Sequence, residues 1–213
     1  MPAGFSPQER ARIVEKLLAT AAGLFTTQGV RKTTLDELVR PAGIAKSSFY
    51  AFFDSKEALY LELMNRQVPE LHARLVASLR GDDPTDVVRR VIRSSIDVLR
   101  TNALYHRLIT HPDELEAVSR RLSTEDLARN MRLLQEPIIE FLRQAQGAGT
   151  VIEGDPNVLF TVMRFAMAAP LVADRMDPAA YPDALDLLVD IVATGLTART
   201  KNGPRHGREH TGT

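Results

Sequence analysis

The sequence predicts an all-α fold: an N-terminal three-helix helix-turn-helix domain joined to a larger C-terminal helical domain. Three observations predict it. Apolar residues recur at three- and four-residue spacing along most of the chain, and no run alternates with the period of two that a strand needs. Serine, threonine or aspartate precedes several of these runs, with proline next in line or glutamate three residues on, as at helix starts. Finally, residues 34–53, TLDELVRPAGIAKSSFYAFF, read as two short helices about a tight turn.

Composition narrows the class. A chain of 213 residues with 44% apolar and 25% charged residues is ordinary for a globular protein with a sizeable core. The absence of cysteine excludes disulfides and thiolate metal sites. The start, MPAGFSPQER, has no apolar signal core, and no uninterrupted apolar run reaches the length of a membrane span. The expectation is a soluble cytoplasmic protein with no membrane partner. Net charge is zero, but residues 1–56 carry Arg10, Arg12, Lys16, Arg31, Lys32, Arg40, Lys46 and Lys56 against Glu9, Glu15, Asp36, Glu37 and Asp54. That local excess suits nucleic acid without requiring it.

In chain order, Ser6-Pro7-Gln8-Glu9 combines a capping box with proline at the first helical position. Ile13, Val14, Leu17, Leu18, Ala21, Ala22, Leu24 and Phe25 form the buried stripe of that first helix, and Gly29 ends it. Arg31-Lys32-Thr33 is a short basic connector. Thr34-Leu35-Asp36-Glu37 is a second capping box. Pro41 keeps the helix it opens short or kinked at its end, and Ala42-Gly43 supplies the turn. From roughly Ala45 to Phe53, a polar row of Lys46, Ser47 and Tyr50 lies beside an apolar row of Phe49, Phe52 and Phe53. A helix of this kind, packed on one side and free on the other, is what a helix-turn-helix places in the DNA major groove.

Asp54 or Ser55 caps a long helix running towards Leu79, with Pro69 as its kink. Asp83-Pro84 opens the next, followed by a short one from Leu104 to Ile109, stopped at His111-Pro112. A longer segment, divisible near Leu122, reaches Gln146 and ends at Gly147-Ala148-Gly149. Asp155-Pro156 starts a helix ending near Met176, and Asp177-Pro178 or Tyr181-Pro182 starts the last, which runs to about Arg199. Residues 200–213 are polar and glycine-rich, the composition of a disordered tail.

Thr33-Thr34, Leu38, Ala42-Gly43-Ile44, Lys46, Ser48-Phe49-Tyr50, Phe53 and Ser55-Lys56-Glu57-Ala58-Leu59, with Leu24-Phe25 and Gly29 upstream, form one ungapped pattern. It resembles the N-terminal domain of the TetR (tetracycline repressor) family over roughly residues 10–63. The resemblance implies a DNA-binding domain over 1–56, an effector-binding and dimerisation domain over 57–199, and the tail. It implies DNA contacts from Thr33 and Thr34 at the second helix, from Lys46, Ser47, Ser48 and Tyr50 on the recognition helix, and from Lys56 at a helix start that favours phosphate. Leu38, Ile44, Phe49 and Phe53 match core positions. Ala45, where the family often has serine, forgoes a side-chain cap worth about 1 kcal/mol. Ala51 and Phe52 replace polar groups the family often uses, and Pro41 replaces an alanine.

Two C-terminal stretches are unusually apolar, VLFTVMRFAMAAPLV and ALDLLVDIVATGL. By resemblance they form a four-helix homodimer interface, with Phe160, Ala168, Leu171, Leu185, Leu188, Val189, Val192 and Leu196 as its candidates. A dimer also suits a palindrome, since two related helices read two half-sites. Met64, Ile96, Leu99, Tyr105, Met131, Leu134, Gln135, Met163 and Met167 are candidates for the wall of a small-molecule pocket, and they suggest a largely apolar effector.

Nothing in the sequence suggests an enzyme, a cofactor or a metal. His106 and His111 lie about 140° apart round a helix, and His206 and His210 fall in the tail. The expected function is sequence-specific DNA-binding regulation, as a repressor released from a palindromic operator by a small-molecule effector. A ligand-indifferent DNA-binding dimer, controlled by abundance or a protein partner, is the alternative; a helical enzyme or small-molecule carrier is a remote one.

Overall fold

A computed structural model describes residues 5–120 and 124–197 of the chain. Among them the architecture is all-α. Ten α-helices run α1 (Pro7–Thr27), α2 (Gly29–Lys32), α3 (Leu35–Ala42), α4 (Lys56–Ser78), α5 (Pro84–Thr101), α6 (Ala103–Thr110), α7 (Pro112–Ser119), α8 (Thr124–Gly147), α9 (Pro156–Met167) and α10 (Tyr181–Thr197). Two 3-10 helices, Lys46–Ala51 and Ala169–Arg175, lie between α3 and α4 and between α9 and α10.

The helix starts follow the local chemistry. Ser6 Oγ accepts from the Glu9 N–H while the Glu9 carboxylate accepts from the Ser6 N–H, and Thr34 and Glu37 repeat the arrangement at α3. Ser55, rather than Asp54, caps α4 by accepting from the Ala58 N–H. Asp83 and Asp155 cap α5 and α9, each with proline next in the helix. The tail expected over 200–213, with His206 and His210, lies outside the described residues.

Three expectations change. Residues 31–33 are no simple connector: Gly29, at φ +85°, starts a single helical turn that ends at Lys32. The recognition segment is a 3-10 helix of six residues, not an α-helix over 45–53. Without a side chain at Ala45 to cap it, so short a segment closes i→i−3 bonds, such as Ser48 N–H to Ala45 O at 2.9 Å. The helix from Asp155-Pro156 stops as an α-helix at Met167, and the chain continues to Arg175 as a 3-10 helix. Pro170 has no N–H to donate back to Ala166, so the α ladder fails there.

Two apolar cores form. The first joins Leu17, Leu18 and Phe25 of α1 to Leu38 and Val39 of α3, Phe49, and Leu59, Tyr60 and Leu63 of α4, and takes in Leu104 and Val118. The second joins Val87, Val88, Val91 and Ile92 of α5 to Ile138 and Leu142 of α8, Leu159 and Met163 of α9, and Val189 and Ala193 of α10. Helix α4 contributes its start to one and Leu75 to the other, so it spans both. Arg89 and Arg93 of α5 pair with Asp190 and Asp186 of α10 at 2.7 and 3.0 Å.

The α6–α7 corner clamps the first core from outside. Arg107 and Glu114 form an ion pair at 2.7 Å with side chains only 16% and 5% exposed, and Arg107 also donates to Thr27 O at the end of α1. The pair lies against Gly29: a methyl group there would fall 1.8 Å from Glu114 Oε1. The Tyr60 hydroxyl donates to Leu104 O at 2.9 Å, and burial pushes its pKa up, keeping the phenol neutral.

Candidate nucleic-acid interface

The two helices of the motif are set by their junction. Pro41 is the penultimate residue of α3, and the helix closes directly after it. Gly43 takes φ +72°; its N–H donates to Arg40 O at 3.2 Å and the Ile44 N–H donates to Val39 O at 3.3 Å. These two bonds form a Schellman closure, and Val39 and Ile44 pack into the first core beside it. The turn is thus held by backbone bonds and two apolar side chains.

At the other end, Phe49 is fully buried and anchors the 3-10 helix, with Phe53 and Tyr50 rings at 6.1 and 5.7 Å. Arg10 of α1 reinforces this from behind. Its guanidinium donates to Ala51 O at 2.7 Å and sits 4.8 Å over the Phe52 ring, which Phe5 also meets at 5.2 Å. Phe52 is therefore a packing residue on the inner side. The bond and ring contacts of Arg10 span some forty residues of sequence, so periodicity carried no signal for them.

Five of the seven expected contact residues share the outward surface. Lys46, Ser47 and Tyr50 are exposed, Tyr50 at 59%; Ser48 is half-buried; Thr34 is exposed at the start of α3. Lys46 Nζ lies 3.0 Å from Asp36 Oδ2. Both groups are largely exposed, and such a pair contributes about 0–1 kcal/mol, so a phosphate can displace the carboxylate.

Thr33 and Lys56 do not join this surface. Thr33 is 1% exposed and its hydroxyl donates to Gly29 O at 2.7 Å, closing α2. Lys56 Nζ donates to Val30 O, Arg31 O and Thr33 O at 2.8, 3.3 and 2.5 Å. An ammonium has three donors, so none is left for a phosphate. The lysine instead ties the end of α2 to the start of α4.

The Thr34–Glu37 box also carries charge. Hydrogen bonds from the Thr34 backbone and side chain, and from Gln28, hold the Glu37 carboxyl below its usual range. Its contribution to stability is present above the unfolded carboxylate pKa and is lost as pH falls through the lower folded value. Thr34→Ala removes the cap of α3 and should lower unfolding stability by about 1 kcal/mol. Urea denaturation checks this, and an unchanged midpoint would show that the cap contributes nothing.

Behind the interface, a cavity of about 590 Å³ lies among α4, α5, α6, α8 and α9. Of the expected wall residues, Leu99, Tyr105, Leu134, Gln135 and Met167 line it. Ile96 and Met163 are buried in the second core, and Met64 packs against the first, so none of the three faces the space. The Met131 side chain lies outside the described residues. Sequence reasoning missed Leu71, Ser94, Ser95, Ile109 and two arginines, Arg74 and Arg164. A search for apolar stripes passes over charged positions.

The outward face of the C-terminal helices also differs from expectation. Phe160, Val189 and Leu196 are core residues, Leu185 and Val192 pack against the core, and Ala168 and Leu171 line the cavity. Of the proposed set, Leu188 alone is exposed, joined by Leu187 and by Ile191 at 60% on α10. On α9, Val158, Val162 and Phe165, the last at 75%, face outward with four- and three-residue spacing. The segment Pro156–Arg175 is long and apolar enough, by length and composition alone, to cross a membrane. Its break at Ala168, and its buried face against α5 and α10, fit a packed helix with one uncovered side.

Comparison with known proteins agrees with the motif. Residues 17–63 match the model of bacterial regulatory proteins of the tetR family. The HTH-type transcriptional regulator YuxN of Bacillus subtilis is 35% identical over 95 residues, 44% of this chain and 31% of YuxN. Three of the curated relatives that match in this way are covered over well under half of their own length, between 31% and 43%. The HTH-type transcriptional regulator Rv2250c of Mycobacterium tuberculosis is 26% identical over 170 residues, 79% of this chain and 86% of that protein. A solved TetR-family regulator from Pectobacterium atrosepticum superposes with a TM-score of 0.66 over 91% of this chain and 98% of its own, at 21% identity.

Proposed function

Since this chain belongs to the TetR family of transcriptional regulators and carries that family's DNA-binding helix-turn-helix, we propose that it works as a homodimeric repressor of a palindromic operator, released by a small molecule. The observation that carries the reading is the anchored 3-10 helix, which buries Phe49 and turns Lys46, Ser47 and Tyr50 outward. Tyr50 and Ser47 stand three residues apart, on one edge of a helix with three residues per turn, and form the leading edge towards bases. Lys46 and Thr34 serve phosphates. Domain division falls at α4, with residues 1–56 binding DNA and 57–199 binding effector and partner. The protein acts in the cytoplasm, where its operator lies.

The outward faces of α9 and α10 supply the pairing surface. Such a contiguous apolar patch is unusual on a monomer and marks an interface. Pairing through a two-fold axis lets two recognition helices meet half-sites about 34–36 Å apart. The cavity favours a ligand-controlled regulator over a ligand-indifferent one, since its volume lies within the range of small-molecule sites. A bound effector shifts the dimer towards a spacing that does not fit DNA, by as much as its affinity differs between the two states.

Selection from random duplexes, followed by electrophoretic shift with Tyr50→Ala and Lys46→Ala, tests this. The expected result is an inverted repeat, with Tyr50→Ala relaxing sequence preference and Lys46→Ala weakening binding across all sequences. No enriched sequence, or unchanged binding by both variants, sinks the assignment.

A further inference from the structure

We propose that the effector is an amphiphile with an anionic head, held by Arg74 of α4 and Arg164 of α9 over an apolar cavity. The inference rests on the effector reading above and specifies its ligand.

Among the described residues, the cavity lining is apolar apart from Tyr105, Gln135, a few hydroxyls and those two arginines, and includes no carboxylate. Arginine is always charged, so two positive, solvent-exposed groups share this wall with no carboxylate among its described lining. Seven other arginines, Arg31, Arg66, Arg89, Arg93, Arg107, Arg120 and Arg143, are neutralised by ion pairs. What sets Arg74 and Arg164 apart from the remaining unpaired ones is that both line the cavity. Among the described residues, neither Arg74 nor Arg164 has such a partner; Arg164 meets only the face of the Phe160 ring, at 6.0 Å. Glu70 stands one helical turn before Arg74 and forms no ion pair with it.

A guanidinium is a planar fork of donors that matches carboxylate and phosphate oxygens. The rest of the wall, Leu71, Leu99, Leu134, Ile138 and Met167 among it, suits a hydrocarbon body. Arg74 also lines a smaller, more polar cleft of about 340 Å³ that reaches Ala22 and Thr26 of α1. Drawing its head towards an anion therefore acts on the wall shared with the DNA-binding end of the molecule. The charged head group modifies the largely apolar effector expected from the sequence.

The test uses the full chain and four probes of equal chain length: octanoate, octyl phosphate, methyl octanoate and octylammonium. Calorimetry should show both anions binding at least about tenfold more tightly than the ester, with octylammonium weakest. The Arg74→Gln/Arg164→Gln variant should lose that advantage while still binding the ester, which also serves as its folding control. Preference between octanoate and octyl phosphate identifies the head. Equal affinity for anions and ester, anion binding untouched by the double variant, or no anion binding overturns the proposal. Ser95→Trp, which fills the cavity, should abolish binding of every probe; persistent binding places the ligand elsewhere and also overturns it. An anion that binds as expected yet leaves operator affinity unchanged refutes release by effector and leaves the ligand class standing.

Discussion

Ile191→Asp should reduce operator binding by about 10²–10⁴-fold while leaving the monomer folded. Ile191 is 60% exposed on α10 and contributes nothing to the second core, so a carboxylate there costs the single chain little. In the proposed dimer the same position is covered. Two-fold symmetry introduces the charge twice, and each carboxylate leaves water for an apolar surface without a partner. The subunits separate, and the gain from linking two half-site contacts, on the order of 10²–10⁴ in affinity, is lost. Sedimentation should show a monomer with unchanged circular dichroism, and electrophoretic shift should show the weakened binding. A variant that stays dimeric and binds normally places the interface elsewhere.

Arg107→Met should destabilise the fold by about 3–5 kcal/mol. It leaves the Glu114 carboxylate, whose side chain is 5% exposed, without its cation between α7 and Gly29. For a chain of this size the melting temperature should fall by roughly 6–20 °C. Replacing both partners, in Arg107→Met/Glu114→Leu, removes the stranded charge and should recover most of the loss. Thermal and urea unfolding of the single and double variants decide the matter: a single variant within about 1 kcal/mol of wild type means that water reaches Glu114.

What was legible in the sequence follows from the range of the forces involved. The boxes at Ser6–Glu9 and Thr34–Glu37 involve partners three residues apart, so letters in a row specify them. The same holds for Gly43, whose left-handed conformation follows from local closure. Lys56 was open to misreading because its acceptors lie 23 to 26 residues back, and only tertiary packing brings them to its ammonium. On α9 and α10, apolar residues run round most of the helix, so period alone could not tell the core side, with Phe160 and Val189, from the outward side, with Phe165 and Ile191. The cavity escaped for a further reason. It is defined by space left between five helices, and Arg74 and Arg164 become part of it only when α4 and α9 face each other.

Thr161, Arg164 and Phe165 line the cavity, and all three are exposed on α9, beside Val162. A neighbouring subunit seated there and a molecule in the cavity would press on the same side chains from opposite sides. Mutual influence between two such events is reciprocal by thermodynamic necessity. Under the proposed mechanism, anything that alters the tendency of subunits to pair would then alter the effector concentration at which the operator is vacated. In the proposed mechanism the threshold of the switch would accordingly not be a constant of the protein. It would drift with the number of copies in the cell, and a regulator that controls its own gene would in this way set its own sensitivity.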